Sequence, residues 1–213
     1  MKKRFRCLAL ALCLVSAQAA SAADMGGARA SLKTMGVQPT VQRLVQYAAQ
    51  GDATVVDLIV AAGVEVDAAD PVHGATALHH AAAQGHTRVV MQLLGLGARV
   101  NVKDRHGATP LTSAAYFGRT ETVGALLANG ALPNVQGVPV TPLMAAVLSG
   151  KAEVVDRLVA AGADPRQPSS GGLTVAAIAR TSGREALMRG GARVPGHAAE
   201  ASKAGGEDGS DVR

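Results

Sequence analysis

Three histidines close together, His79, His80 and His86, form the densest set of ligand-type side chains in the sequence. Imidazoles so placed can bind zinc or copper, but a site also needs convergent geometry and partners that fix each ring. A structural role is therefore the preferred reading. The only cysteines, Cys7 and Cys13, lie at the N-terminus and add no ligand to it. Nucleophilic and hydrolytic signatures are missing: there is no G-x-S-x-G turn and no H-E-x-x-H helix. Gly95-Leu96-Gly97 begins like a dinucleotide fingerprint but lacks the third glycine, and Ser149-Gly150-Lys151 lacks the remainder of a phosphate loop. No catalytic residue, cofactor or metal is expected.

The aromatic side chains point to binding chemistry instead. Aromatics make up only 2% of a chain that is 48% apolar, with 25 Gly and no Trp. Past the N-terminal segment they are Tyr47, Tyr116 and Phe117, and two of these are adjacent. Large rigid aromatics are the usual anchors of protein interfaces. The alternative is that Phe117 tucks between helices as core.

The formal charge of +5 on 213 residues suggests a nucleic-acid partner until it is located. Lys2, Lys3, Arg4 and Arg6 precede an apolar run from Cys7 to Ala17, and Ser21-Ala22-Ala23 supplies a small-x-small pattern before Asp24. That order reads as a cleaved secretory signal over residues 1–23. Without those four cations the 21 basic residues fall to near parity with the 16 acidic ones. Nucleic-acid binding then loses its electrostatic footprint. No apolar run reaches the length of a membrane span, and the expected destination is the periplasm. Gly, Ala and acidic residues dominate 196–213, which reads as a disordered tail. Residues 24–36 read as a linker.

What must position the aromatic pair is a repeat. Thr76, Thr109, Thr141 and Thr174 stand 33, 32 and 33 residues apart. Ala81, Ala114, Ala146 and Ala179 keep the same register, as do Gly85, Gly118, Gly150 and Gly183. Each unit predicts two short helices. Thr109 and Thr141 cap the first, with Pro110 and Pro142 at the opening position where no donor is needed. The second carries an apolar stripe: Val90, Leu93 and Leu94; Val123, Leu126 and Leu127; Val155, Leu158 and Val159. Helices this short are marginal alone, so their apolar faces must be buried between neighbouring units.

The segments TALHHAAAQGHTRVVMQLLGLGARVNVKD and GATPLTSAAYFGRTETVGALLANGALPN resemble ankyrin repeats, whose hallmark is G-x-TPLH-x-AA-x-x-G-H with a later G-A-D-V-N. Gly74, Thr76, Leu78, His79, Ala81, Ala82, Gly85 and His86 match that pattern in one unit. The resemblance implies an all-α ankyrin-repeat solenoid of paired short helices and β-turn fingers. It spans residues 37–195 in about five units, near 37–69, 70–103, 104–135, 136–166 and 167–195, the first and last acting as caps. Two departures stand out. The histidine of the opening motif survives only as His79, replaced by Thr112, Met144 and Ala177, and Pro139 occupies the position of a finger glycine. The finger between units three and four is expected to be irregular.

The resemblance implies a protein partner held in a concave groove, with no nucleic acid, no membrane span and a monomeric free chain. It places Tyr116 and Phe117 in that groove, with Gln84, Leu148 and Ser149 at equivalent positions and His73, Arg105 and His106 at the finger tips. Similar exported proteins suggest support of a periplasmic enzyme or neutralisation of an effector. The alternatives are an enzyme with a dispersed site or an envelope adaptor on peptidoglycan or membrane. Arg180, Arg184, Arg189 and Arg193 gather in the last unit, read as a solvated cap face rather than an acid-binding patch.

Overall fold

The computed structural model describes residues 24–190; the expected signal segment and C-terminal tail lie outside them. A helix at 24–34, α1, precedes five helical pairs. These are α2 (Val41–Gln50) with α3 (Ala53–Ala61), α4 (Ala77–Gln84) with α5 (Thr87–Gly95), α6 (Pro110–Tyr116) with α7 (Thr120–Ala128), α8 (Pro142–Ser149) with α9 (Ala152–Ala160), and α10 (Val175–Thr181) with α11 (Ala186–Gly190). Extended pairing among the described residues is limited to an isolated antiparallel bridge between Ala69 and Thr76. The fold is an all-α solenoid.

The threonine register sets where the inner helices begin. Thr109 Oγ1 accepts from Thr112 N at 3.3 Å, Thr141 Oγ1 from Met144 N at 3.2 Å and Thr174 Oγ1 from Ala177 N at 3.3 Å. Each satisfies one donor that the first turn would leave unpaired. Thr40 does the same for Arg43 N, so the cap series begins one unit earlier than the opening motif. Glycines end the inner helices. Gly118 has φ +64°, a left-handed backbone that disfavours any side chain, and the flexible Lys151 side chain lies over it.

Ala81, Ala82, Ala114, Ala115 and Ala146 are fully buried, and these small side chains let α4, α6 and α8 pack closely. The outer helices α5, α7 and α9 approach one another less closely than the inner ones. The inner helices are therefore the more tightly stacked layer. On the outer helices the buried stripes are Val89, Val90 and Leu93; Thr122, Val123 and Leu126; and Val154, Val155 and Leu158. Leu94, Leu127 and Val159, predicted to complete those stripes, are only half-buried. The stripe turns one position toward the adjacent outer helix, where Thr87 and Thr122 hydroxyls meet at 2.9 Å.

Residues 24–36 are not the expected linker. Leu32 is fully buried and Ala28 nearly so, and Arg29 Nε donates to Ala62 O at 3.0 Å. Their i, i+4 spacing gives α1 one apolar face, which seals the end of the first pair.

Polar side chains join the units across every layer. Asn101 Nδ2 donates to Gly130 O at 3.1 Å while its Oδ1 accepts from Leu132 N at 2.8 Å. Asn134 repeats the pair with Gly162 O and Asp164 N, at 2.7 and 2.8 Å. Fingers two and three are closed by acids: Asp70 accepts from Val72, His73 and Ala75 amides, and Asp104 from His106 and Ala108 amides. Burial would raise the Asp70 carboxyl pKa, but these three amides outweigh it and hold the group below its usual 3.8.

The finger between units three and four differs, as Pro139 suggested. The position of Asp104 is taken by Gln136, and the left-handed turn moves to Gly137, at φ +70°. Elsewhere adjacent fingers share a backbone bond, Arg105 N to His73 O at 2.9 Å and Ser170 N to Val138 O at 2.8 Å. Between fingers three and four no such bond forms among the described residues; Lys103 Nζ reaches Gln136 O at 3.0 Å instead.

Candidate partner-binding face

Tyr116 is the last residue of α6 and Phe117 its C-cap. Ala114 and Ala115 occupy the two buried sides of that turn, so the next two side chains point out. Both rings are 53% exposed. They pack edge to face, with centroids 5.2 Å apart and planes at 86°, a favourable arrangement that limits their freedom before any partner arrives. Phe117 does not tuck between helices.

Equivalent positions behave differently. Gln84 is exposed, but Leu148 and Ser149 are half-buried. Ser149 Oγ donates to Ala146 O at 2.7 Å and accepts from Lys151 N at 3.3 Å. The Leu148 carbonyl accepts from Arg184. The fourth unit thus offers less free surface than the third.

The structure brings His73, Arg105 and His106 together on neighbouring fingers. All three are exposed, and the two imidazoles lie 6.4 Å apart, tilted by 42°. Arg105 folds back over Gly74 and donates Nη1 to Val72 O at 2.9 Å. A recess of about 370 Å³ opens on the far side of that finger, lined by Arg105, His106, Ala108, Thr112, Pro139 and Val140. It lies where the finger-to-finger bond is lost and where Thr112 replaces a ring. A second, more open recess of about 610 Å³ lies on α5, α7 and α9, away from the aromatic pair.

The histidines do not converge. His79 Nδ1 accepts from Thr76 N at 3.1 Å, which places its proton on Nε2, 3.1 Å from Ala108 O. His86 Nε2 donates to Ala49 O at 3.0 Å. Burial pushes His79 below its usual 6.5, against the pull of Ala108 O and Asp104. Burial also lowers His80, whose Nε2 is buried without a hydrogen bond, 3.9 Å from Asp70 Oδ2. Among the described residues no three His, Cys, Asp or Glu side chains gather to hold a metal ion, and no helix is long and apolar enough to cross a membrane.

Sequence reasoning missed the role of the residue after each turn glycine. It is basic in units two to five, His86, Arg119, Lys151 and Arg184, while Asp52 follows Gly51 in the first. Three of them donate to the preceding inner helix, Arg119 Nε to Ala83 O at 2.9 Å and Arg184 Nη1 to Val147 O at 3.1 Å beside the His86 contact. Each completes a helix end whose carbonyls face outward. Arg184 is therefore a stacking residue, not part of a solvated cluster; the column of basic residues after glycine was the available signal.

Residues 44–137 match a sequence model of three ankyrin repeats, and residues 140–170 match a single ankyrin repeat. The break between the two falls at Val138 and Pro139, in the irregular finger. No curated protein matches the chain. Repeats of this kind generally mediate contacts between proteins. Their helix pairs, capping threonines and finger turns are those described above, and the chain belongs to the ankyrin repeat family.

Proposed function

We propose that this chain is a non-catalytic interaction module, exported to the periplasm, that holds a partner protein against its inner helices and finger tips. The observation that carries this reading is the exposed Tyr116–Phe117 pair in the middle unit, edge to face and free of core packing. An aromatic pair left half in water costs solvation that a partner's apolar side chain can recover. Support for an envelope enzyme or neutralisation of an effector both fit such a module.

Two measurements test it. Residues 1–36 fused to a leaderless alkaline phosphatase should give periplasmic activity; activity confined to the cytoplasm removes the export half. Protein captured from periplasmic extract, identified by mass spectrometry and titrated, should lose affinity for Tyr116→Ala. Unchanged affinity removes the aromatic pair from the site.

A further inference from the structure

The inner helices of this solenoid are depleted of charge. The inner helices α2, α4, α6 and α8 contain no carboxylate at all; Arg43 is their lone ionised side chain, His79 and His80 being held toward neutrality by burial. At the finger tips Lys103 and Arg105 are exposed, with His73 and His106 beside them. The acids of those fingers, Asp70 and Asp104, are turned inward onto their own turn amides. Among the described residues neither Lys103 nor Arg105 pairs with a carboxylate; both donate to backbone carbonyls, Gln136 O and Val72 O. Four exposed acids lie on the outer helices, Asp57 on α3, Glu121 on α7, and Glu153 and Asp156 on α9; the others among the described residues, Asp24, Asp52, Glu65, Asp164 and Glu185, lie on α1 or in connections between helices. A composition near neutrality hides this local excess of cations at fingers two and three.

We infer that the partner docks an acidic surface on this face, carboxylates toward Lys103 and Arg105 and an apolar side chain against Tyr116 and Phe117. The inference rests on the groove reading above and adds the chemistry of the partner. Fixed cations beside an uncharged, partly apolar floor favour a mixed acidic and apolar protein segment. A nucleic acid is disfavoured, because its phosphate track needs a longer run of cations than two on one pair of fingers.

The test is selection of short random peptides displayed on phage against the folded chain, followed by titration of the winners. Winners should be rich in Asp and Glu with at least one aromatic or large aliphatic residue. Their affinity should fall about tenfold or more with Lys103→Glu or Arg105→Glu, and fall on raising the salt concentration. Glu121→Lys, on the opposite face, should leave it unchanged, and thermal melts confirm that each variant is folded. Arg105→Gln, which keeps a donor for Val72 O, separates lost charge from a loosened finger. Winners of neutral or basic composition, or winners indifferent to both charge reversals, overturn the inference; if they still need Tyr116, the groove reading stands. Acidic winners indifferent to Tyr116→Ala overturn the groove reading. An absence of winners overturns both, as does an oligothymidylate probe that binds more tightly than any peptide.

Discussion

His79 of the second unit lies with Nε2 3.1 Å from the carbonyl oxygen of Ala108 in the third. Its other nitrogen is held by Thr76 N at 3.1 Å, so one ring caps its own helix and closes the neighbouring finger. Thr112, the corresponding residue of the third unit, bonds instead to Thr109 Oγ1 at 3.1 Å and, among the described residues, reaches no further finger.

That ring gives stability a definite pH dependence. Burial lowers the folded pKa of His79 below the ordinary 6.5, so its contribution is complete above pH 6.5 and declines as pH falls below that value. His80 acts in the same direction, and Asp70 adds a further loss below pH 3.8. Urea midpoints measured from pH 7.5 down to pH 5 should fall for the native sequence. His79→Thr should lower stability by about 1–3 kcal/mol at pH 7.5 through its lost bonds, and flatten part of that slope. An equal slope in the variant would show that other groups carry the dependence.

Tyr116→Ala should weaken partner binding by about 2 kcal/mol or more while leaving urea unfolding almost unchanged. Leu126→Ala, on a fully buried side chain, should cost ~2–5 kcal/mol of stability. If the two variants lose stability equally and affinity per folded molecule is preserved, the tyrosine is structural.

Asn101→Ala removes two bonds to the next unit, to Gly130 O and from Leu132 N. The expected loss is about 1–2 kcal/mol by urea unfolding. Hydrogen exchange should show faster opening around Gly130, and uniform exchange across the chain would contradict a local joint.

Leu32→Ala should destabilise the first pair by about 2–5 kcal/mol, because Leu32 is fully buried in α1. In a linear stack that damage appears first as local opening of α2 and α3. Hydrogen exchange of Leu44 and Ile59 amides reads it directly; protection equal to that of the intact chain would mean α1 is dispensable.

The repeat was legible because its signals recur: Thr76, Thr109, Thr141 and Thr174 each announce a helix, and Gly85, Gly118, Gly150 and Gly183 each end one. Helix α1 was not, since Gly26 and Gly27 weaken its propensity and only Ala28 and Leu32 mark a face. Exposure of Phe117 depended on which way the last turn of α6 points, a matter of tertiary packing. The excess of free cations at these fingers was invisible to a net sum, because Asp70 and Asp104 count as acids in the sequence yet face their own turns.

Bonds between the second and third units run in opposite directions along the chain. His79 and Asn101 donate forward to Ala108 O and Gly130 O, while Arg119 donates back to Ala83 O. Parting this seam would strand donors and acceptors on both lips of the cut, each costly to leave unpaired. A terminal unit has only one such seam to lose. Fraying from the ends is therefore expected to reach this seam, and with it the third unit that carries the aromatic pair, late.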